Sequence, residues 1–130
     1  MQNSMALAPS LTRTTGGATN YFGRVVGQNT GTNPENNLKD NYAYIDMEFK
    51  TEDGGTFSPS WGLPNPSSSS TSLHGEGLSA SDARTQGTWE TAGFIFDGSP
   101  WIWNANGMPS LKVNGKDIGT VQPWPDHLQQ

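Results

Sequence analysis

The sequence contains no cysteine. That excludes a disulfide framework, a thiolate zinc site and a thiol nucleophile. Small secreted domains often rely on disulfides, so the absence leans toward cytosolic synthesis. Basic residues are scarce: seven Lys and Arg stand against twelve carboxylates, for a formal charge of −5. The nearest approach to a basic cluster is Lys112 with Lys116, so no phosphate-backbone footprint forms and no nucleic-acid partner is expected. No apolar run approaches the ~18 residues that a membrane span needs, so no membrane partner is expected. Residues 1–8 lack the basic and apolar regions of a secretory leader, and none is expected. Aliphatic material is thin as well, with 21 Val, Ile, Leu and Phe residues in a chain of 130.

Gly, Pro, Ser, Thr and Asn supply 62 residues, almost half the chain. Such a balance raises the question of disorder. Charged residues make up only 15%, however, and five Trp and three Tyr add bulky apolar surface. A charge-driven disordered chain is therefore disfavoured, and the composition fits a loop-rich β domain of one-domain length.

Residues 1–20 read as an extended Ala/Thr/Ser/Gly arm anchored by Leu7 and Leu11. Tyr21–Val26 is a short β-leaning run, and residues 27–41 read as a long loop. Tyr42–Thr51 alternates with period two: Ala43, Ile45, Met47 and Phe49 fall on one face, and Tyr42, Tyr44, Asp46, Glu48 and Lys50 on the other. This pattern predicts one strand with a buried side. Glu52-Asp53-Gly54-Gly55 is a turn, with Thr56–Trp61 returning as an edge strand because Pro59 lacks an N–H. Residues 62–77 form a second long connection, including Ser67 to Ser70 in a row.

Leu78–Arg84 can form one helical turn capped by Ser79 or Ser81. Thr88–Phe96 alternates well enough to predict a second strand, and Trp101–Trp103 a short aromatic one. Ser110–Gly119 predicts a hairpin around Asn114-Gly115, the preferred type I′ pair. Counting outward places Val113 opposite Lys116 and Lys112 opposite Asp117. In the tail, Pro123-Trp124-Pro125 holds the chain extended and offers Trp124 as an anchor. No repeat of fixed period is visible. The expected fold is all-β: a small antiparallel sandwich, jelly roll or barrel over residues 21–121, with long loops and extended arms at 1–20 and 122–130.

No constellation in the sequence carries catalysis. Asp46 and Glu48 share one strand face at a spacing that could serve glycoside hydrolysis, but Lys50 beside them marks a solvated face. His74 and His127 belong to no catalytic or zinc motif. Asn33, Glu35, Asn36, Asn37, Asp40 and Asn41 are oxygen ligands of the kind calcium prefers, without EF-hand spacing. No enzyme activity, cofactor or metal is expected.

Burying a Leu- or Phe-sized side chain contributes roughly 1.5–3 kcal/mol, whereas ordering a residue costs about 1–2 kcal/mol in backbone entropy. So few apolar residues struggle to order so much chain, and association would bury more surface. The expected role is therefore a non-enzymatic structural subunit of a larger assembly: a homo-oligomer with trimeric symmetry favoured, located in a virion as a phage decoration protein. Leu7, Leu11, Trp101, Trp103 and Trp124 would meet protein neighbours. The competing expectation is a carbohydrate-binding module, with Tyr42, Tyr44, Trp101 or Trp103 stacking on sugar rings and Asn104, Asn106 or Asp97 meeting hydroxyls.

Overall fold

A computed structural model describes residues 2–14, 23–25, 38–57, 74–114, 116–117 and 121–130. The chain divides into two compact units, Met1–Ser79 and Ala80–Gln130.

Among the described residues, unit 1 has five short strands: β1 (Gln2–Ala6), β2 (Ser10–Arg13), β3 (Lys39–Tyr44), β4 (Glu48–Thr51) and β5 (Glu76–Leu78). They pair in parallel, in the order β1-β3-β5 in one sheet and β2-β4 in the other. Gln2 pairs with Lys39 and Ala6 with Ala43, a separation of 37 positions. Ser10 pairs with Glu48 at 38 positions, and Tyr42 with Glu76 at 34. The chain thus turns from one sheet to the next over residues 7–9. It does so again over residues 45–47, one pass further on, where the Glu48 N–H donates to the Pro9 carbonyl at 2.9 Å. Successive passes stack in register, as in the coils of a solenoid.

This arrangement overturns the expected antiparallel sandwich or jelly roll. Parallel neighbours need a crossover of a dozen or more residues. The stretches between β2 and β3 and between β4 and β5 supply that length, where the sequence predicts a short β-leaning run, an edge strand and two long loops. The single strand expected over Tyr42–Thr51 is two strands, broken by a turn in which the Met47 N–H meets the Tyr44 carbonyl at 3.2 Å. The expected turn at 52–55 does form, with the Thr51 N–H donating to the Gly55 carbonyl at 2.8 Å. Of its antiparallel return the described residues show one bridge, Lys50 with Thr56. The rest of the expected return strand, most of the two long loops and the cluster Asn33–Asn37 lie outside the described residues.

The passes share local rules that spacing alone did not expose. Asn3 and Asp40 occupy the same place in successive coils, and both have φ of +52°. Gly75, just ahead of β5, has φ of +66°. Asn, Asp and Gly are the residues that tolerate this left-handed region. Further along, Ala6, Ala43 and Gly77 form a column of small residues across the three strands. The core of this unit gathers Leu38, Tyr42, Ala43, Met47 and Leu78.

Unit 2 contains helix α1 (Ala80–Ala83), helix α2 (Gln86–Thr91), the antiparallel strands β6 (Trp101–Ile102), β7 (Ser110–Val113) and β8 (Lys116–Asp117), and a 3₁₀ turn at Asp126–Leu128. Helix α1 follows Ser79 and realises the expected helical turn. The expected strand over Thr88–Phe96 is instead helical in its first half. The Gly93 N–H bonds to the Glu90 carbonyl and the Phe94 N–H to the Trp89 carbonyl, at 3.0 and 2.9 Å. With Gly93 at φ +90°, this is a Schellman stop, and the ring of Phe94 packs on Trp89 as such motifs favour. The hairpin pairs Lys112 with Asp117 and Val113 with Lys116, as the sequence predicts. Asn114 has the left-handed φ of +52° that a type I′ turn requires.

Candidate functional site

Three features of the described residues stand out: a buried arginine in unit 1, an open sheet edge in unit 1, and an aromatic cluster with an adjoining cleft in unit 2.

Arg24 is 6% exposed. Its Nε donates to the His74 carbonyl at 3.1 Å, Nη1 to the Tyr44 carbonyl at 2.9 Å and Nη2 to the Gly75 carbonyl at 3.3 Å. No carboxylate pairs with it among the described residues. The guanidinium is thus held by backbone dipoles and ties the end of β3 to the segment entering β5. Burial pulls its pKa below the ordinary value. His74 is also buried, and its imidazole is held below the usual histidine range by desolvation first and by the Arg24 charge second. These groups brace the stack. Among the described residues, no three of His, Asp or Glu come together as a metal site.

The second feature is an edge. In both sheets the stack ends on one side in consecutive strands, β1 and β2. Their side chains are Gln2, Asn3, Ser4, Met5 and Ala6, then Ser10, Leu11, Thr12 and Arg13. Arg13 is the sole charge, and it lies over the Phe57 ring at 4.5 Å. The opposite end of the stack, β4 with β5, carries Glu48, Lys50 and Glu76. Charges of that kind are the usual protection of an exposed strand. The β1–β2 end lacks them.

In unit 2 the aromatic side chains form a chain of edge-to-face contacts that ends in a tilted one, Trp103 with Trp124. Trp89 meets Phe94, Phe94 meets Trp101, and Trp103 meets Trp89, Phe96 and Trp124, with centroids 5.0–6.3 Å apart. Trp89 and Trp124 are buried, whereas Trp101 and Trp103 are half-buried. The Trp89 indole N–H donates to the Ala83 carbonyl at 2.7 Å. The Trp124 N–H finds no partner among the described residues. Beside Trp124 opens a cleft of about 360 Å³ lined by Ser81, Arg84, Asn106, Pro123 and Gln129.

No family model, curated protein or solved structure matches the chain. Its residues alone carry the functional argument.

Leu11 lies in β2 opposite Phe49 of β4, and Leu7 is half-buried in the turn between β1 and β2. Both therefore belong to unit 1's own coils. Trp101, Trp103 and Trp124 sit together in the aromatic cluster of unit 2. Tyr42, in unit 1, is 7% exposed. Burial, then the charges of Glu76 and Asp40, raise its phenol pKa. Tyr44 is half-buried. Asn104 is spent on its own turn, donating to the Met108 carbonyl at 2.7 Å and to Ser110 Oγ at 3.2 Å. Asp97 is exposed in a turn. Asp46 sits in the β3–β4 turn, and Glu48 is ion-paired with Lys50 at 2.7 Å. Sequence reasoning missed Arg24, Arg84 and Gln129, because isolated polar residues among loops carry no periodic signal. No helix among the described residues is long and apolar enough to cross a membrane.

Proposed function

We propose that the protein is a non-enzymatic structural module that assembles by coil stacking, its β1–β2 edge accepting a parallel strand pair from a neighbouring coil. The observation carrying this reading is the open end of both sheets. Among the described residues no strand pairs with the outer side of β1 or β2, whose side chains are nearly uncharged, while the other end of the stack is charged. A parallel edge of this kind is satisfied by another pass built on the same rules, with a left-handed Asn or Asp near the strand start and a small residue three positions later.

A second copy supplies such a pass. One copy's β1–β2 edge would then face a different surface of the next, so the contact is heterologous. It generates a ring if the rotation closes and a filament if it does not; a threefold ring is the closed form that accords with the expected trimer. The small apolar content of the chain adds to the argument, since stacking buries surface that one copy leaves open. Sugar stacking draws less support, because Tyr42 is buried and Asn104 is committed to its own turn.

The test is sedimentation of the chain over a wide concentration range, beside the double variant Gln2→Lys with Thr12→Lys. Both positions are exposed, so folding should survive while the edge gains the charges that oppose pairing. Concentration-dependent association of the parent that the variant loses supports the reading. A parent that stays monomeric, or a variant that associates equally, ends it.

A further inference from the structure

We propose that the cleft of unit 2 binds a sugar carboxylate, a uronic acid unit held through Arg84. The cleft volume of about 360 Å³ lies within the range of small-molecule sites. Its walls are tethered from several directions. The Asn104 side chain fixes the turn that carries Asn106, and the Met108 N–H joins that turn to the Gln122 carbonyl at 2.8 Å, directly before Pro123 and Trp124. On the other wall, Gln129 Nε2 donates to the Trp124 carbonyl. A site held this way loses little freedom when a ligand enters.

The lining chemistry selects the ligand class. Among the described residues Arg84 is the one charged residue lining the cleft, in a chain of net charge −5. Its Nε donates to the Ala80 carbonyl at 3.3 Å, which orients the guanidinium plane. Neither Nη has a partner among the described residues, which leaves a fork suited to two oxygens of one carboxylate. A bare anion would use only that fork. Asn106 offers a further donor and acceptor, and Gln129 keeps its carbonyl oxygen after Nε2 is engaged. These groups match hydroxyls, which donate and accept at once. Pro123 supplies apolar wall for the C–H face of a ring.

The experiment is calorimetric titration of the full chain with galacturonate, with galactose as the neutral counterpart and acetate as the charge alone. Saturable binding of galacturonate is expected, at least tenfold tighter than either comparison ligand. Arg84→Gln should weaken it by about 10–100-fold, the range of a charge-assisted bidentate contact. Should that variant lose its near-ultraviolet circular dichroism, Asn106→Asp serves instead, since it places a like charge at an exposed turn and should weaken galacturonate by a larger factor than galactose. Equal affinity for galactose or acetate overturns the proposal, as does the absence of saturable binding. Undiminished affinity in a folded variant overturns it too. None of these outcomes depends on whether the chain self-associates.

Discussion

At the scale of single residues, Arg24 is the most consequential side chain of unit 1. Its bonds reach carbonyls on both sides of the turn between passes, and none of those carbonyls is its sequence neighbour. A hydrogen bond to a charged group contributes roughly 1.5–3 kcal/mol when one partner is removed from a buried site. Arg24→Met should therefore cost unit 1 on the order of 3 kcal/mol in urea denaturation. Arg24→Lys should recover little of it, because an ammonium cannot serve carbonyls spread along a planar fork. A lysine variant as stable as the parent would show that charge rather than shape is what matters there. Nothing in the sequence announced this role, since Arg24 stands alone between Gly23 and Val25 in a weak β-leaning run.

At the scale of elements, legibility followed the distance between partners. The hairpin at Asn114-Gly115 was readable because the turn type and both strands lie within a few residues, and its register came out as counted. The stacked strands were not, because each partner stands 34–38 positions away and the repeat survives as conformation more than as letters. Asn3 and Asp40 differ as residues yet share a φ of +52°. The alternation in Thr88–Phe96 misled because Thr and Trp favour strands, while the stop signal lay in Ala92-Gly93-Phe94.

Gly75 tests the stacking rule directly. A Cβ there would stand 2.8 Å from the Val25 side chain and 2.9 Å from the Asn41 carbonyl, at a φ that already disfavours any side chain. Gly54 shares the positive φ but has open space around it. Gly54→Ala should thus cost about 1–2 kcal/mol, the backbone penalty alone. Gly75→Ala should cost more in the same thermal denaturation series, because the clash adds to it. Equal losses would mean that the β5 entry is not packed as described.

At the scale of the whole molecule, the two units have different cores and should respond to different insults. Unit 1 buries polar groups, Arg24, Asn41 and His74, beside its aliphatic residues. Unit 2 is held by aromatic rings packed edge-to-face and at a tilt. Because the folded state lowers the His74 pKa, the unfolded chain takes up a proton more readily near the ordinary value of 6.5. Stability from this source is fully present above that pH and falls as pH drops below it. Acidification from pH 7 toward 5 should therefore lower the stability of unit 1, and His74→Gln should flatten that slope. Four of the five tryptophans lie in unit 2. Tryptophan emission should consequently change later in an acid titration than backbone amide protection in β3 and β5. Simultaneous change would mean that the two units melt as one.

The parallel register also governs the order in which the molecule can be made. Gln2 leaves the ribosome 37 residues ahead of Lys39, the residue it pairs with. Closing so long a span before any ladder bond forms slows maturation, and β1 waits for β3 meanwhile. A chaperone that shelters the uncharged β1 segment would raise the yield of correctly wound product more than any aid directed at the locally encoded Asn114 hairpin.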